Sequence, residues 1–248
     1  WKMKIFIHRV LFILILLSIW EILSKIGLLN PFFLPAPTKI VESFIALLAN
    51  GQLIIDLLVS VRRVLFGFLI SILTAVPLGL FLGMNKKIKR LVSPLVNFIR
   101  PIPPIAWIPL AIIWFGIGNT TSYFITMIAS FFPIFINTIT GVENISQKHL
   151  DVAKSFDVDK KTLLIHVIFP CAFPFILSGM RIGLGIGWMA VVAAEMIAAF
   201  SGLGYLIIIN QDMLRMDRVL VGMITIGMVG LLLDTFILEL RNRFIKWS

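Results

Sequence analysis

The residues able to do chemistry in this 248-residue chain are few and scattered. His8, His149 and His166 lie far apart, and the one cysteine, Cys171, stands alone. Neither set has the ligand spacing of a metal centre. The histidines therefore read as surface residues and Cys171 as a small packing residue. Glycines recur at Gly179, Gly183 and Gly187 in "GMRIGLGIG". A phosphate-binding loop is excluded there, because no strand precedes the glycines and no Lys-Ser/Thr follows them. On a helix their four-residue spacing makes one smooth face for close packing. Arg181, Glu195 and Asp234 fall among apolar residues. Charges in an apolar span are costly and point to function or pairing. Arg181 has a second reading, snorkelling to the headgroups. Glu195 either shapes a path or pairs with a neighbouring helix. A membrane-embedded enzyme finds no clustered histidines, paired carboxylates or nucleophile–base set here. A stand-alone secondary transporter or channel, the alternative function, would have to rest its relay on Glu195 and Asp234.

The elements that must position these residues are membrane spans. The chain is 59% hydrophobic and 14% charged, with mean hydropathy +1.04, too apolar for a soluble surface. Six apolar stretches approach the ~20 residues a spanning helix needs: about 5–23, 64–84, 95–115, 120–141, 172–198 and 218–240. The expected fold is an all-α, six-helix membrane protein forming a single domain over 1–248. Lys2, Lys4 and Arg9 precede the apolar run Val10 to Trp20, and no small-residue cleavage site follows it, so it reads as an uncleaved first span. The net charge of +10 reads as cytoplasmic Lys/Arg excess, not as a nucleic-acid surface. With the N-terminus inside, Lys86, Lys87, Lys89, Arg90, Lys148, Lys154, Lys160, Lys161, Arg241, Arg243 and Lys246 are inside too. The outside keeps Lys25, Lys39, Arg62, Arg63, Arg215 and Arg218. Both termini are then cytoplasmic.

Outside, "NPFFLPAPTK" reads as extended. "KIVESFIALLAN" and "LIIDLLVSVRRV" read either as helices along the membrane surface or as a loop with helical packing. Pro101, Pro103, Pro104 and Pro109 forbid a straight third span. It is either unwound to line a cavity or bent around its neighbours. Inside, "DVAKSFDVDKKTLLIHVIFP", 151–170, interrupts the apolar chain with charge. Ser146 can cap a short helix to about Phe156, and Asp159 can cap a second that Pro170 helps to end. Leu150, Ala153 and Asp157 share one side of the first helix; Val152 and Phe156 share an adjacent one. The segment is either a solvated linker or a surface that a partner buries.

The register of this segment resembles the "EAA" loop of ABC-importer permeases. Asp151, Val152 and Ala153 occupy the triplet, Asp157 the usual glycine position, and Val167, Phe169 and Pro170 the far end. "FLPAPTKI", "SVRRVLFGF", "NFIRPIPPIAWIPLAIIWFGIG", "FPIFINTITGV", "GMRIGLGIGWMAVVAAEM" and "SGLGYLI" extend the resemblance to the nitrate, sulfonate and taurine branch. The resemblance implies a type I importer permease fold in the bacterial inner membrane, with a cytoplasmic coupling loop over 142–171. It implies docking of Leu150, Asp151, Val152, Ala153, Lys154, Phe156, Asp157, Lys160 and Pro170 on a cytoplasmic ATPase subunit. Pro103, Pro104, Trp107, Gly183, Gly187, Trp188 and Glu195 become candidates for the translocation path. The expected partners are ATPase subunits, a second permease copy, a periplasmic or lipid-anchored solute-binding protein, and membrane lipid. No cofactor is expected in this chain; ATP and Mg belong to the ATPase subunits. The solute class implied is a small oxyanion or organic solute: nitrate, bicarbonate, sulfonate or taurine. At Asp157 a left-handed turn would favour glycine, so either the turn differs or the aspartate bonds local backbone.

Overall fold

The computed structural model describes residues 2–28, 30–156 and 158–244, without the side chains of 2–7, 9, 10, 149, 150, 154 and 244. The described residues are helical and contain no strand. In order they form α1 (Lys2–Lys25), α2 (Pro37–Ala49), α3 (Gln52–Met84), α4 (Lys86–Ile99), α5 (Ile108–Phe115), α6 (Asn119–Glu143), α7 (Gln147–Ser155), α8 (Lys160–Leu163), α9 (Phe169–Ala198), α10 (Leu203–Asp212) and α11 (Met216–Phe244). A 3₁₀ turn, Pro104–Trp107, leads into α5, and a π turn, Leu164–Ile168, joins α8 to α9.

Four helical runs among the described residues are long and apolar enough to cross a membrane: Gln52–Met84, Asn119–Glu143, Lys160–Ala198 and Met216–Arg243. The pair Lys86–Ile99 and Pro104–Phe115 makes a fifth if taken together, bent by 86°. The expected span at 5–23 lies in α1, which is exposed along 11–19 and meets α2 where Glu21 accepts from the Thr38 amide and hydroxyl at 3.1 and 2.8 Å.

Two expectations change, and the expected break in the third span takes a definite form. "LIIDLLVSVRRV" is neither a surface helix nor a loop; it is the first third of α3, which begins at Gln52 and not at 64. No helix breaker separates it from the next apolar stretch, so the helix propagates through it. The third span is two helices at a sharp angle. Pro101, Pro103 and Pro104 remove three backbone donors in four residues, which a helix interior cannot absorb. Pro170 does not end a helix. It stands in the first turn of α9, and the preceding π turn bonds Phe169 N to the Leu164 carbonyl. That one-residue bulge makes room for the ring inside a continuous apolar run, Lys160–Ala198.

The core forms around α6. Its contacts with α3 rise together along both chains. A Cβ on Gly67 would lie 2.6 Å from Thr126 Cβ, one on Gly79 2.7 Å from Thr138 Cβ, and one on Gly83 2.6 Å from Val142 Cβ. The two helices are therefore parallel. On its other side α6 meets α9 in the opposite sense, Gly179 against Asn137 and Gly183 against Ser130 and Ile134. α11 is antiparallel to α9: Trp188 Nε1 donates to the Ile226 carbonyl at 3.1 Å, and Arg181 pairs with Asp234. Lipid gives helices no hydrophobic reason to associate, so close backbone approach and interhelical hydrogen bonds carry the packing. Ser71 Oγ donates to the Met127 carbonyl at 2.8 Å and Ser130 Oγ to the Gly183 carbonyl at 2.9 Å.

These directions gather Lys86, Lys87, Lys89, Arg90, Lys160, Lys161, Arg241 and Arg243 at one end of the bundle, the basic end. Lys89 and Glu143 form an ion pair there. Gly79→Ala forces a methyl against Thr138 and to within 3.0 Å of the Phe135 carbonyl oxygen. It is expected to cost about 1–3 kcal/mol and lower the unfolding temperature in detergent. Gly227→Ala, at a position open to at least 4 Å, is the control and should not lower it.

Candidate functional site

Two ends and one break of this bundle carry the polar structure. At the end opposite the basic one, Asp56, Ser60 and Arg63 share a face of α3 at helical spacing and are all buried. They meet the turn between α9 and α10, where Glu195 is 0% exposed. Arg63 Nη1 donates to Glu195 Oε1 at 2.9 Å and to the Ser201 carbonyl at 2.6 Å. Its Nη2 donates to Ser201 Oγ at 3.1 Å and its Nε to Asn119 Oδ1 at 2.8 Å. One guanidinium thus ties α3, the start of α6, the end of α9 and the following turn. Ser60 Oγ lies 2.7 and 2.8 Å from the two Glu195 oxygens and accepts from Leu203 N at 2.9 Å. Gly202 N donates to Asp56 Oδ1 at 2.8 Å and Gly204 N to Glu195 Oε2 at 3.0 Å.

The first amides of α10, which no helical carbonyl can satisfy, are therefore met by two carboxylates and a hydroxyl. Negative charge at a helix start is also favourable. Gly202 is required twice over. Its φ is +106°, and a Cβ there would run into the Glu195 carboxylate.

The break in the third span lies between α4 and α5. Arg100 ends α4, Ile102 N bonds the Ile99 carbonyl at 3.0 Å, and the helix restarts at Pro104. Proline is tolerated in that first turn. A cavity of about 320 Å³ opens between the break, α6 and α9, lined by Arg100, Pro104, Phe132, Pro133, Asn137, Ile182 and Ile186 among others. Of the path candidates, Pro103 and Pro104 lie in the break, and Trp107 follows with its Nε1 buried and without a partner among the described residues. Gly183 and Gly187 face α6 instead, and the Cβ that Gly187 lacks would strike Ser130 Oγ. Trp188 faces α11, and Glu195 belongs to the buried network. Arg181 makes a two-bonded pair with Asp234, Nε to Oδ1 at 2.7 Å and Nη2 to Oδ2 at 2.8 Å, so pairing rather than snorkelling accommodates it.

At the basic end, α7 and α8 form the two short helices expected between α6 and α9. Asp159 caps the second, accepting from Lys161 N at 3.1 Å and Thr162 N at 3.3 Å. The Thr162 hydroxyl and these amides hold its carboxyl below the usual aspartate range. Val158 N closes the intervening turn on the Ala153 carbonyl at 3.3 Å. Ala153 is turned inward, 7% exposed, while Val152 and Phe156 are 57% and 77% exposed. Asp151 and Lys160 are exposed and polar; Pro170 is exposed at the start of α9. Asp157 and the side chains of Leu150 and Lys154 lie outside the described residues. A cavity of about 400 Å³ lies beside this segment, bounded by Gly83, Met84, Lys86, Val142, Ile145, Gln147, Leu163 and Ile168 among others.

Sequence reasoning left Arg63 among the solvent-side cations and passed over Asp56, Ser60 and Arg100. The i, i+4, i+7 spacing of Asp56, Ser60 and Arg63 was the available signal for the first group. Removing one member of the buried pair, by Glu195→Gln or Arg63→Met, is expected to cost about 3–5 kcal/mol. The joint replacement should cost less than the sum of the two, as thermal unfolding of all three variants will show.

Comparison with known proteins places these features in a family. Residues 75–246 match the family model described as "Binding-protein-dependent transport system inner membrane component". A Methanocaldococcus jannaschii protein, provisionally named an ABC transporter permease, is 40% identical over 234 residues, covering 92% of this chain and 87% of the relative. The taurine transport system permease protein TauC of Escherichia coli is 34% identical over 239 residues, covering 94% and 86%. The nitrate import permease protein NrtB of a Synechocystis strain is 31% identical over 239 residues, covering 93% and 86%. Among solved structures, the inward-facing MetNI methionine ABC transporter superposes with a TM-score of 0.68 at 17% identity, over 83% of this chain and 99% of the other. That likeness extends to the fold. The chain belongs to the family of binding-protein-dependent transport system inner membrane components.

Proposed function

We propose that the protein is the membrane permease of an ATP-driven importer that carries a small oxyanion or sulfonate, in the class of nitrate and taurine. The family match over residues 75–246 carries the permease reading. The solute class rests on relatives named for taurine, aliphatic sulfonates and nitrate. Two copies of the chain enclose the path, and an external binding protein delivers the solute at the Arg63 end. ATP and Mg act in separate ATPase subunits docked at the basic end, which faces the cytoplasm in agreement with its Lys/Arg excess.

The docking surface is the α7 segment. Its exposed apolar pair, Val152 and Phe156, offers the anchors of a helix laid in a groove. Ala153 supports that helix from beneath, and Lys154 lies beside it in sequence. Nucleotide-driven closure of the ATPases displaces α7, and the long helix from Lys160 carries the displacement into the membrane.

Phe156→Ala and charge reversal at Lys154 are each expected to cut solute uptake by about tenfold or more while the permease still inserts; loss of one anchor of this kind removes ~2 kcal/mol of binding. The check is uptake and co-purification of the ATPase in reconstituted complexes. Wild-type uptake and ATPase retention in the double variant would place the docking surface elsewhere.

A further inference from the structure

Among the arginines of the described spans, Arg63, Arg181 and Arg100 lie against the helices of the core, where a charge is accommodated at a cost. Arg63 is buried against Glu195 at the bundle end. Arg181 is held by both oxygens of Asp234. Arg100 has no ion pair and no side-chain hydrogen bond among the described residues, yet it sits at the break itself.

Its depth follows from its neighbours. The cavity that Arg100 lines is walled by Phe132, Pro133 and Asn137 of α6, and α6 runs from Asn119 to Glu143. Pro133 stands ten residues from Glu143, so at 1.5 Å per residue it lies about 15 Å from the basic end. Arg100 also lines a cavity of about 150 Å³ with Lys89, Ile139, Thr140 and Glu143, so it lies between the basic end and the middle of a ~30 Å hydrocarbon layer. An unpaired guanidinium at that depth requires water or an anion beside it. The wall supplies both room and polarity. The volume, about 320 Å³, falls in the range of ~300–1,000 Å³ usual for small-ligand sites. Asn137 adds an amide whose Nδ2 donates to the Pro133 carbonyl at 2.8 Å, leaving its second N–H for another acceptor. Arg100 closes the last turn of α4, its N–H on the Val96 carbonyl at 2.9 Å, and its exposed side chain, with five donors, lines the cavity.

We propose that Arg100 is the anion-recognising residue of the translocation path, taking a small oxyanion or sulfonate in the cavity between the helix break, α6 and α9. The planar fork matches two oxygens of such a group, and the bonds are charge-assisted. The site makes one cationic stop within the membrane for a solute that lipid would otherwise exclude. It rests on the anion-importer reading above.

The test uses the complete complex, permease with its ATPase and binding protein, in proteoliposomes, with nitrate and taurine as probes. In a Cys171→Ala background, Arg100→Cys is expected to lower uptake about tenfold or more, the cost of losing hydrogen bonds to a charged group. Binding-protein-stimulated ATPase activity should persist. Aminoethyl methanethiosulfonate restores a positive charge and should return most of the uptake. The sulfonatoethyl reagent, of similar size and opposite charge, should not. Full uptake by the unmodified variant, equal rescue by both reagents, or rescue by neither would overturn the role of Arg100. If the Cys171→Ala parent carries neither probe but does carry an uncharged or cationic solute, the anion reading itself falls, independently of how Arg100→Cys behaves.

Discussion

The close approach of α6 to both α3 and α9 is the constraint on which the rest depends. Glycines at 67, 79 and 83 on one side and 179, 183 and 187 on the other admit α6 side chains and carbonyls where a methyl would collide. Hydrophobicity does not sort helices inside a lipid layer, so this steric fit, with a few serine bonds, decides which helices are neighbours. It also decides direction. Because α3 and α6 lie parallel, the chain between them must return across the membrane. The stretch 86–118 is that return, and its proline-broken course is what makes the central cavity. The packing of two parallel helices thus dictates the crooked one.

The polar ends are linked through a single element. The helical run Lys160–Ala198, 39 residues, is roughly 58 Å long at 1.5 Å per residue. It begins beside α7 at the basic end and finishes three residues after Glu195. Along the way it is gripped by α6 and by the Arg181–Asp234 pair. At its far end the Arg63 network fixes the next turn to α3 and to Asn119. A displacement applied at α7 therefore meets a rod with packed walls and a fastened end, not a chain of flexible joints. Packed interfaces of this kind switch between arrangements rather than deform continuously.

Much of this was legible in the sequence. Apolar length alone located α6, α9 and α11 to within a few residues at their membrane cores, and the glycine period named the face of α9 that meets α6. The Asp159 cap followed from residue type and position. What escaped had physical reasons. The helix through Pro170 depends on a π turn, which no local residue preference announces. The start of α3 was masked because Asp56, Arg62 and Arg63 look like surface residues until a buried partner is known. α10 is short and half-enclosed by its neighbours, and it starts on amides met by Asp56 and Ser60 from a distant part of the chain, so its stability is tertiary. Exposure within the expected docking set was also not legible: Ala153, Val152 and Phe156 were all expected there, and Ala153 is turned inward. Its neighbours Val152 and Phe156 are the exposed pair, because one turn of a nine-residue helix separates its inner and outer faces by only a single position.

Arg63, Arg181 and Arg100 show how one cost is met in three ways. A guanidinium cannot shed its charge at any ordinary pH, so a membrane protein must surround it with acceptors or with water. Arg63 receives a carboxylate, a serine hydroxyl, a carbonyl and an amide oxygen from its own chain, and that makes it a fastening. Arg181 receives one carboxylate squarely, and that makes it a rivet between α9 and α11. For Arg100 the described residues provide two cavities and no ion pair, the Glu143 carboxylate that shares one of them being held by Lys89. Structural arginines bring their acceptors with them, because an unfilled donor works against folding. An arginine left open beside a cavity between packed helices has its acceptor supplied from outside the fold, and in a transporter the path is where that acceptor arrives.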